Sequence, residues 1–337
     1  MTLPASGQIS ASDIANEFGY THNPETKLGS YRTTNGQGNF PVSFGALQFN
    51  SIDAQSGGSV PTSGQIKFSD FYSTKLQTVV NFYGSGRGGN RLVAKDRYDA
   101  GGSNDVNIVG NYRARPTNSS GTKVHIHVNQ TIGSEKTRVE HCALRTGSWN
   151  SSTTLQVDVG GSGRIGGAGG DGGDGGTPFS PGDGTSGTSG LGIQYNPTTV
   201  NVASGGVITA GFGGGGGGGG AYDTDKEATR TASGGGGGGG AGIPAGEGGA
   251  AGTGSSHNAN GGPGNDGSIS EGGAGGGGAS NDGEAVSAGG GAGGEGSTYG
   301  GGDPGSAGAA IRRNTGFVVN VTNNGSINGV QNATTVL

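Results

Sequence analysis

Apolar and polar residues alternate at a spacing of two through the middle of the chain. Thr78-Val79-Val80-Asn81-Phe82-Tyr83, Arg91-Leu92-Val93-Ala94, Val106-Asn107-Ile108-Val109, Lys123-Val124-His125-Ile126-His127-Val128, Arg138-Val139-Glu140-His141-Cys142-Ala143-Leu144 and Thr154-Leu155-Gln156-Val157-Asp158-Val159 all follow this pattern. Turns rich in Gly, Ser and Asn separate them. Period-two alternation marks half-buried strands. Short strands at this density predict a small antiparallel β domain over 77–160, a sandwich with Trp149 and Tyr112 available for its core.

Ahead of the strands, the apolar positions belong to an internal repeat. Pro4-Ala5-Ser6-Gly7-Gln8-Ile9-Ser10-Ala11-Ser12-Asp13 recurs as Pro61-Thr62-Ser63-Gly64-Gln65-Ile66-Lys67-Phe68-Ser69-Asp70, identical at seven of ten positions. In each copy a Pro/Ser/Gly turn leads to an isoleucine. Ser and Asp then offer a helix N-cap before Ile14 and Phe18, or before Phe71 and Tyr72. Two turn-helix units joined by a polar segment have little core of their own, which fits a docking module at 1–76 packed on a partner.

Beyond residue 160 the alternation gives way to glycine. The chain holds 84 glycines in 337 residues, with 28% hydrophobic and 13% charged positions, against a usual glycine share near ~7%. Apolar side chains cannot fill a core along 161–310. The zone is either a flexible linker or ordered by its backbone. Three features favour order. The runs Gly213 to Gly220 and Gly234 to Gly240 flank an insertion at 221–233, the layout of a hairpin. Thr154 to Val159, Thr199 to Val202 and Phe317 to Val321 each lead through a small turn to a glycine and an isoleucine, at Ile165, Ile208 and Ile327. An apolar strand returns at 311–337 to pack on the body. The expected fold is therefore mainly β with little α-helix, plus a bundle of glycine-rich, polyproline-II-type (polyglycine II) helices. Such helices have no internal hydrogen bonds, so each N–H must bond to a neighbour, and glycine permits the approach. Collagen is a poor fit: Gly166-Gly167-Ala168-Gly169-Gly170-Asp171 breaks the strict third-position glycine.

Some of these residues are recognisable. Val60-Pro61-Thr62-Ser63-Gly64-Gln65-Ile66-Lys67-Phe68-Ser69-Asp70-Phe71-Tyr72 resembles a module in structural proteins of T4-like cyanophages and other marine phages. Lys123 to Asn129 and the stretch Ile165 to Gly173 look like the same group, and the paired glycine runs are similar to the receptor-binding tip adhesins of T-even phages. In those adhesins a glycine lattice carries variable loops. The N-terminal module departs from them. The resemblance implies a virion protein that binds a host-cell receptor, with residues 1–76 docking on other tail or fibre proteins. Several copies per virion are implied, a homotrimer being one arrangement.

Charge and chemistry exclude more than they add. A net charge of −5 gives no footprint for nucleic acid. No apolar run reaches the ~18 residues of a membrane span, and the start lacks a signal peptide, so synthesis in the host cytoplasm without export is expected. Cys142 is the single cysteine, which removes internal disulfides and cysteine zinc sites. Gly-x-Gly-x-x-Gly carries no information at this glycine density, and no Gly-Lys pair exists for a phosphate loop. No enzyme and no cofactor are expected. Asp171 and Asp174 fall on one edge of a threefold helix as a solvated edge rather than a catalytic pair. His125 and His127, two apart on a strand, face one side and are weak metal candidates; metal is not expected. In 161–310 the cations Arg164, Lys226 and Arg230 stand against thirteen carboxylates, and the aromatics are Phe179, Tyr195, Phe212, Tyr222 and Tyr299. Aromatics between glycine runs have no side-chain core to join, so they read as display. The receptor-binding candidates are Tyr222, Lys226 and Arg230 in the insertion, then Phe179 and Tyr299. The alternative is a purely architectural virion component of a baseplate, neck or fibre joint, without receptor contact.

Overall fold

The computed structural model describes residues 3–17, 27–28, 42–44, 47–56, 61, 63–73, 75–83, 87–88, 91–93, 105–107, 123–149, 153–176, 180–225, 228–254, 260–281, 285–286 and 301–337. At the N-terminus the two repeat copies fold against each other. Leu3, Ile14 and Phe71 are buried together, with Ile9, Leu28 and Ile66 packed on them. Helix α1 (Ala11–Glu17) starts at a reciprocal cap: Asp13 N–H donates to Ser10 Oγ at 3.1 Å, and Ser10 N–H to Asp13 Oδ2 at 2.8 Å. In the second copy Lys67 stands where Ser10 does, and only the return bond survives, from Lys67 N–H to Asp70 Oδ2 at 2.7 Å. A short 3-10 helix, Phe68–Phe71, follows instead of an α-helix. Ser73 N–H donates to the Pro4 carbonyl at 3.0 Å, and Tyr72 Oη to that of Gly7, tying the copies together.

Strands β1 (Val42–Phe44), β2 (Leu47–Ser56) and β3 (Lys75–Tyr83) pair antiparallel. From β3 onward the pairing in the large sheets is parallel. The chain passes through three faces in turn: β3, β4 (Arg87–Gly88) and β5 (Arg91–Val93), with β6 (Asp105–Asn107) beside β5. Then come β7 (Lys123–Val128), β8 (Thr131–Ile132) and β9 (Cys142–Arg145), followed by β10 (Thr154–Val159), β11 (Arg164–Gly166) and β12 (Ser189–Ile193). After β13 (Thr198–Val202) and β14 (Val207–Thr209) the chain leaves for two antiparallel hairpins. These are β15 (Ala221–Asp225) with β16 (Ala228–Ala232), and β17 (Ser280–Asn281) with β18 (Ala285–Val286). It returns through β19 (Ile311–Arg313), β20 (Val319–Asn323), β21 (Ser326–Asn328) and β22 (Ala333–Thr334). The sheets order as β1-β2-β3-β7-β10-β13-β20, β21-β14-β11-β8-β4 and β22-β19-β12-β9-β5-β6. This is a three-faced parallel β-solenoid.

Parallel winding corrects the expected small antiparallel β domain. An alternating segment is half-buried whichever way its neighbour runs, so period two leaves strand direction open. The Gly/Ser/Asn turns bend the chain round corners instead of reversing it. The shared strand-turn-glycine-isoleucine plan is the solenoid repeat: Ile165, Ile208 and Ile327 stand in register on β11, β14 and β21. Core columns run through the coils, Val80-Ile126-Val157-Val200 and Phe82-Val128-Val159-Val202, each member buried. Burial of this kind is worth about 1.5–3 kcal/mol per side chain. Trp149 and Tyr195 join the core, with Trp149 Nε1 donating to Thr146 O at 2.7 Å and Tyr195 Oη to Thr153 O at 3.0 Å. Tyr195 is thus core, against the expectation that aromatics of the glycine zone are displayed, because the solenoid continues through 189–209. Tyr112 lies outside the described residues.

The glycine segments leave the solenoid at its corners, after β11 and after β14, and bond to one another with a stride of three. Gly170, Gly173 and Gly176 N–H donate to Phe212, Gly215 and Gly218, while Gly169, Gly172 and Gly175 N–H donate to Pro244, Glu247 and Ala250. Gly234, Gly237 and Gly240 return to Gly176, Gly173 and Gly170, running the opposite way. Gly302, Gly305 and Gly308 donate to Gly217, Gly214 and Gly211. A β-carbon on Gly170 would sit 1.8 Å from the Thr185 carbonyl oxygen, and one on Gly237 2.0 Å from that of Gly215. Glycine at such positions is required by the approach of the backbones.

Candidate functional site

The register decides where the breaks in the glycine segments emerge. Next to the solenoid, Gly167 N–H bonds to Thr209 and Ile243 N–H to Gly167. At the other end of the strides, Gly176 bonds to Gly218, Gly234 to Gly176, Gly252 to Gly234, Ala279 to Ser233 and Gly302 to Gly217. The described residues that flank the breaks at 177–181, 219–232, 253–260 and 280–301 therefore meet at one end of the lattice, away from its junction with the solenoid. The β15–β16 hairpin lies in the second break and contacts β17–β18 from the fourth. Ala232 and Ala279 are buried together at their base.

Two of the sequence candidates, Tyr222 and Arg230, lie on the hairpin at this end. Tyr222 is on β15 opposite Thr231, and Arg230 is on β16 opposite Asp223, adjacent rungs of one ribbon. Lys226, Phe179 and Tyr299 lie outside the described residues; in sequence they fall within the breaks at 219–232, 177–181 and 280–301.

The flanks of the lattice carry a side-chain ladder that the sequence reading missed. Asp183 Oδ1, Ser186 Oγ and Ser189 Oγ accept the N–H groups of Asp303, Ser306 and Ala309 at 2.8, 3.1 and 3.0 Å. Thr188 and Thr185 hydroxyls accept from Ala168 and Asp171 N–H. Asp171 and Asp174 do the same for Glu247 and Ala250, each at 2.8 Å. Asp171 Oδ1 also takes Lys136 Nζ at 2.6 Å. The pair is a set of caps for backbone donors, more than the solvated edge expected. A stride-three reading of Asp183, Ser186 and Ser189 would have found this ladder, because polar side chains must replace a neighbouring carbonyl wherever the lattice has an edge.

A cavity of about 180 Å³ lies where the lattice meets the solenoid, lined by residues including Arg164, Thr209, Phe212 and Ile269. That is below the ~300 Å³ at which pockets for drug-sized ligands begin. No helix among the described residues is long and apolar enough to cross a membrane.

Residues 100–332 match the family described as phage tail fibre adhesin Gp38. The chain belongs to that family. The match takes in the solenoid coils from β6 to β21 and all of the glycine lattice. No curated protein and no solved structure matches the chain. As a tail-fibre adhesin it is a virion protein, and that family implies contact with other phage proteins and with a host receptor.

Proposed function

We propose that the chain is a non-enzymatic adhesin of the T4-like type whose glycine lattice presents the receptor-binding surface. The observation that carries this reading is the register: four breaks remote in sequence leave the lattice at one end. Tyr222, Lys226 and Arg230 form the main contact, with Phe179 and Tyr299 beside it. Aromatic and cationic side chains of this kind dominate protein recognition. The lattice is of polyproline-II type, since a stride of three matches three residues per turn. At ~3.1 Å per residue, Gly167 to Gly176 spans roughly 28 Å and holds the contact surface off the body. Residues 1–76 dock the chain on a tail or fibre protein, 77–160 and 311–337 join the strands within 161–310 in the solenoid body, the glycine segments of 161–310 carry the contact surface, and several copies per virion multiply a reversible contact.

The test is saturable binding of the full-length labelled chain to intact host cells, against a chain with Tyr222→Ala, Lys226→Ala and Arg230→Ala. Loss of binding in the variant supports the reading. Equal binding by both moves the contact off the hairpin. A folded wild-type chain that does not bind host cells overturns the adhesive role and leaves an architectural component.

A further inference from the structure

On the outer face of the solenoid, the ladder brings three metal-ligating side chains together. Strands β7 and β10 pair parallel and in register, with His127 opposite Asp158 and His125 opposite Gln156. Val124, Ile126 and Val128 of β7, and Leu155, Val157 and Val159 of β10, all point into the core. Alternation then fixes His125, His127 and Asp158 on the outer face, where each is half-buried. One ligand atom from each lies within 4.8 Å of the others. His127 Nδ1 is 3.5 Å from Asp158 Oδ2, and the imidazole centroids are 5.8 Å apart.

We propose that His125, His127 and Asp158 bind one divalent first-row transition ion of the zinc class, stapling two adjacent coils of the solenoid. Metal–ligand bonds of 2.0–2.2 Å in a tetrahedron place ligand atoms about 3.4 Å apart. The His127–Asp158 pair already meets that spacing, and side-chain rotation at His125 closes the remainder without moving either strand. The carboxylate is held for the task. Asp158 Oδ1 accepts Asn201 Nδ2 at 2.8 Å and Gln156 Nε2 at 2.7 Å, which turns Oδ2 toward His127. Supporting hydrogen bonds of this kind are what orient ligands in metal sites. Side-chain exposures of 34% at His127 and 24% at Asp158 leave room for an ion to enter and for water as a fourth ligand. Two imidazoles with one carboxylate favour zinc-like ions over magnesium or calcium, which prefer all-oxygen shells.

The staple serves a need that is visible in the composition. The one cysteine, Cys142, is buried, so the chain has no internal disulfide with which to lock its coils.

The full-length chain is stripped with chelator, dialysed, and titrated with Co²⁺ while its visible absorption is followed. One ion per chain, displaced by Zn²⁺ and unaffected by excess Mg²⁺ or Ca²⁺, is the expected result. X-ray absorption at the bound ion should report two imidazoles. Affinity should fall at least about tenfold in His125→Gln and in Asp158→Asn, both of which keep side-chain size. Asn201→Ala should weaken binding by about tenfold through loss of the carboxylate support. His257→Gln should bind as wild type. Zn²⁺ should raise the unfolding midpoint of the wild-type chain, reversibly with chelator. Absence of stoichiometric Co²⁺ binding overturns the proposal, as does binding unchanged in either ligand variant. If a variant fails to fold, the wild-type spectrum alone decides: fewer than two imidazoles at the ion rejects the site. None of these readouts involves host cells, so this proposal and the adhesive reading fail separately.

Discussion

Glycine in this chain has two physical meanings, and single residues separate them. Gly237 has Gly215 and Gly173 backbone against it, and an added β-carbon would lie 2.0 Å from a carbonyl oxygen. Backbone cannot step aside as a side-chain tip can, so Gly237→Ala should cost at least about 3 kcal/mol in denaturant unfolding, the upper part of the usual overpacking range. Gly277 is exposed and has nothing within 4 Å of the same position. Gly277→Ala should be neutral or stabilising by up to about 1 kcal/mol, because alanine narrows the unfolded ensemble. Equal costs at the two sites would mean that the segments do not pack as described. Asp13 provides a pH prediction at the same scale. Hydrogen bonds from Ser10, first from its hydroxyl and then from its backbone N–H, hold the Asp13 carboxyl below its ordinary value. A depressed acid stabilises the folded state above its unfolded pKa, ~3.9, and loses that contribution as pH falls through the folded value. Protection of the amides across 3–17, taken relative to each amide's intrinsic exchange rate at that pH, should therefore fall on acidification from about pH 4 downward in the wild type. Asp13→Asn should show lower protection already at neutral pH and a flatter response of protection to acid.

Among elements, the join between solenoid and lattice rests partly on Asp171. Its carboxylate accepts Lys136 from the loop between β8 and β9, and the Glu247 N–H from a neighbouring glycine segment. The lysine contact is half-exposed, so a double-mutant cycle of Asp171→Ala with Lys136→Ala should give a coupling below about 1 kcal/mol. The full cost of Asp171→Ala should be larger, about 1–3 kcal/mol, because a backbone donor loses its acceptor. A coupling that accounts for the whole cost would make the ion pair the joint and leave the cap without weight. The same elements show what was legible beforehand. Strand positions such as Lys123 to Val128 and Thr154 to Val159 could be read to the residue, since their alternation reflects one buried face. Strand direction could not, because burial on one face is the same for parallel and antiparallel neighbours. The two-residue strands Arg87–Gly88 and Thr131–Ile132 were invisible, being too short to show a period. Of the site, the hairpin was legible from its matched glycine arms, while the convergence of four breaks at one end needed the stride-three register. His125 and His127 were legible as a same-face pair, but Asp158 joins them only through parallel pairing, the feature the sequence left open.

At the scale of the whole molecule, the lattice and the solenoid hold the chain together from both sides of the β15–β16 hairpin. Segments before the hairpin tip include β3 to β14 and the glycine arm from Gly211 to Gly218. Segments after it include the arm from Gly234 to Gly242 and β19 to β22. The two arms bond to each other, as in Phe212 to Ala241, Gly215 to Gly238 and Gly218 to Gly235. The returning strands pair with the earlier coils, β19 with β12, β20 with β13 and β21 with β14. A cut at the tip removes one covalent bond and none of these contacts. With a protease recognition sequence inserted between Lys226 and Glu227, complete cleavage should leave the two fragments co-eluting as a single species of unchanged volume. The unfolding midpoint in denaturant should fall and become dependent on fragment concentration, because unfolding of the cut chain releases two pieces that are no longer held at a high effective concentration. Binding to host cells should fall sharply in the same sample, because the cut frees the two strands that carry Tyr222 and Arg230. Fragments that separate without denaturant would show that the stride-three bonds and the returning coils do not suffice to hold the lattice. Full cell binding by a completely cleaved, intact-sized particle would move the contact surface to the neighbouring breaks.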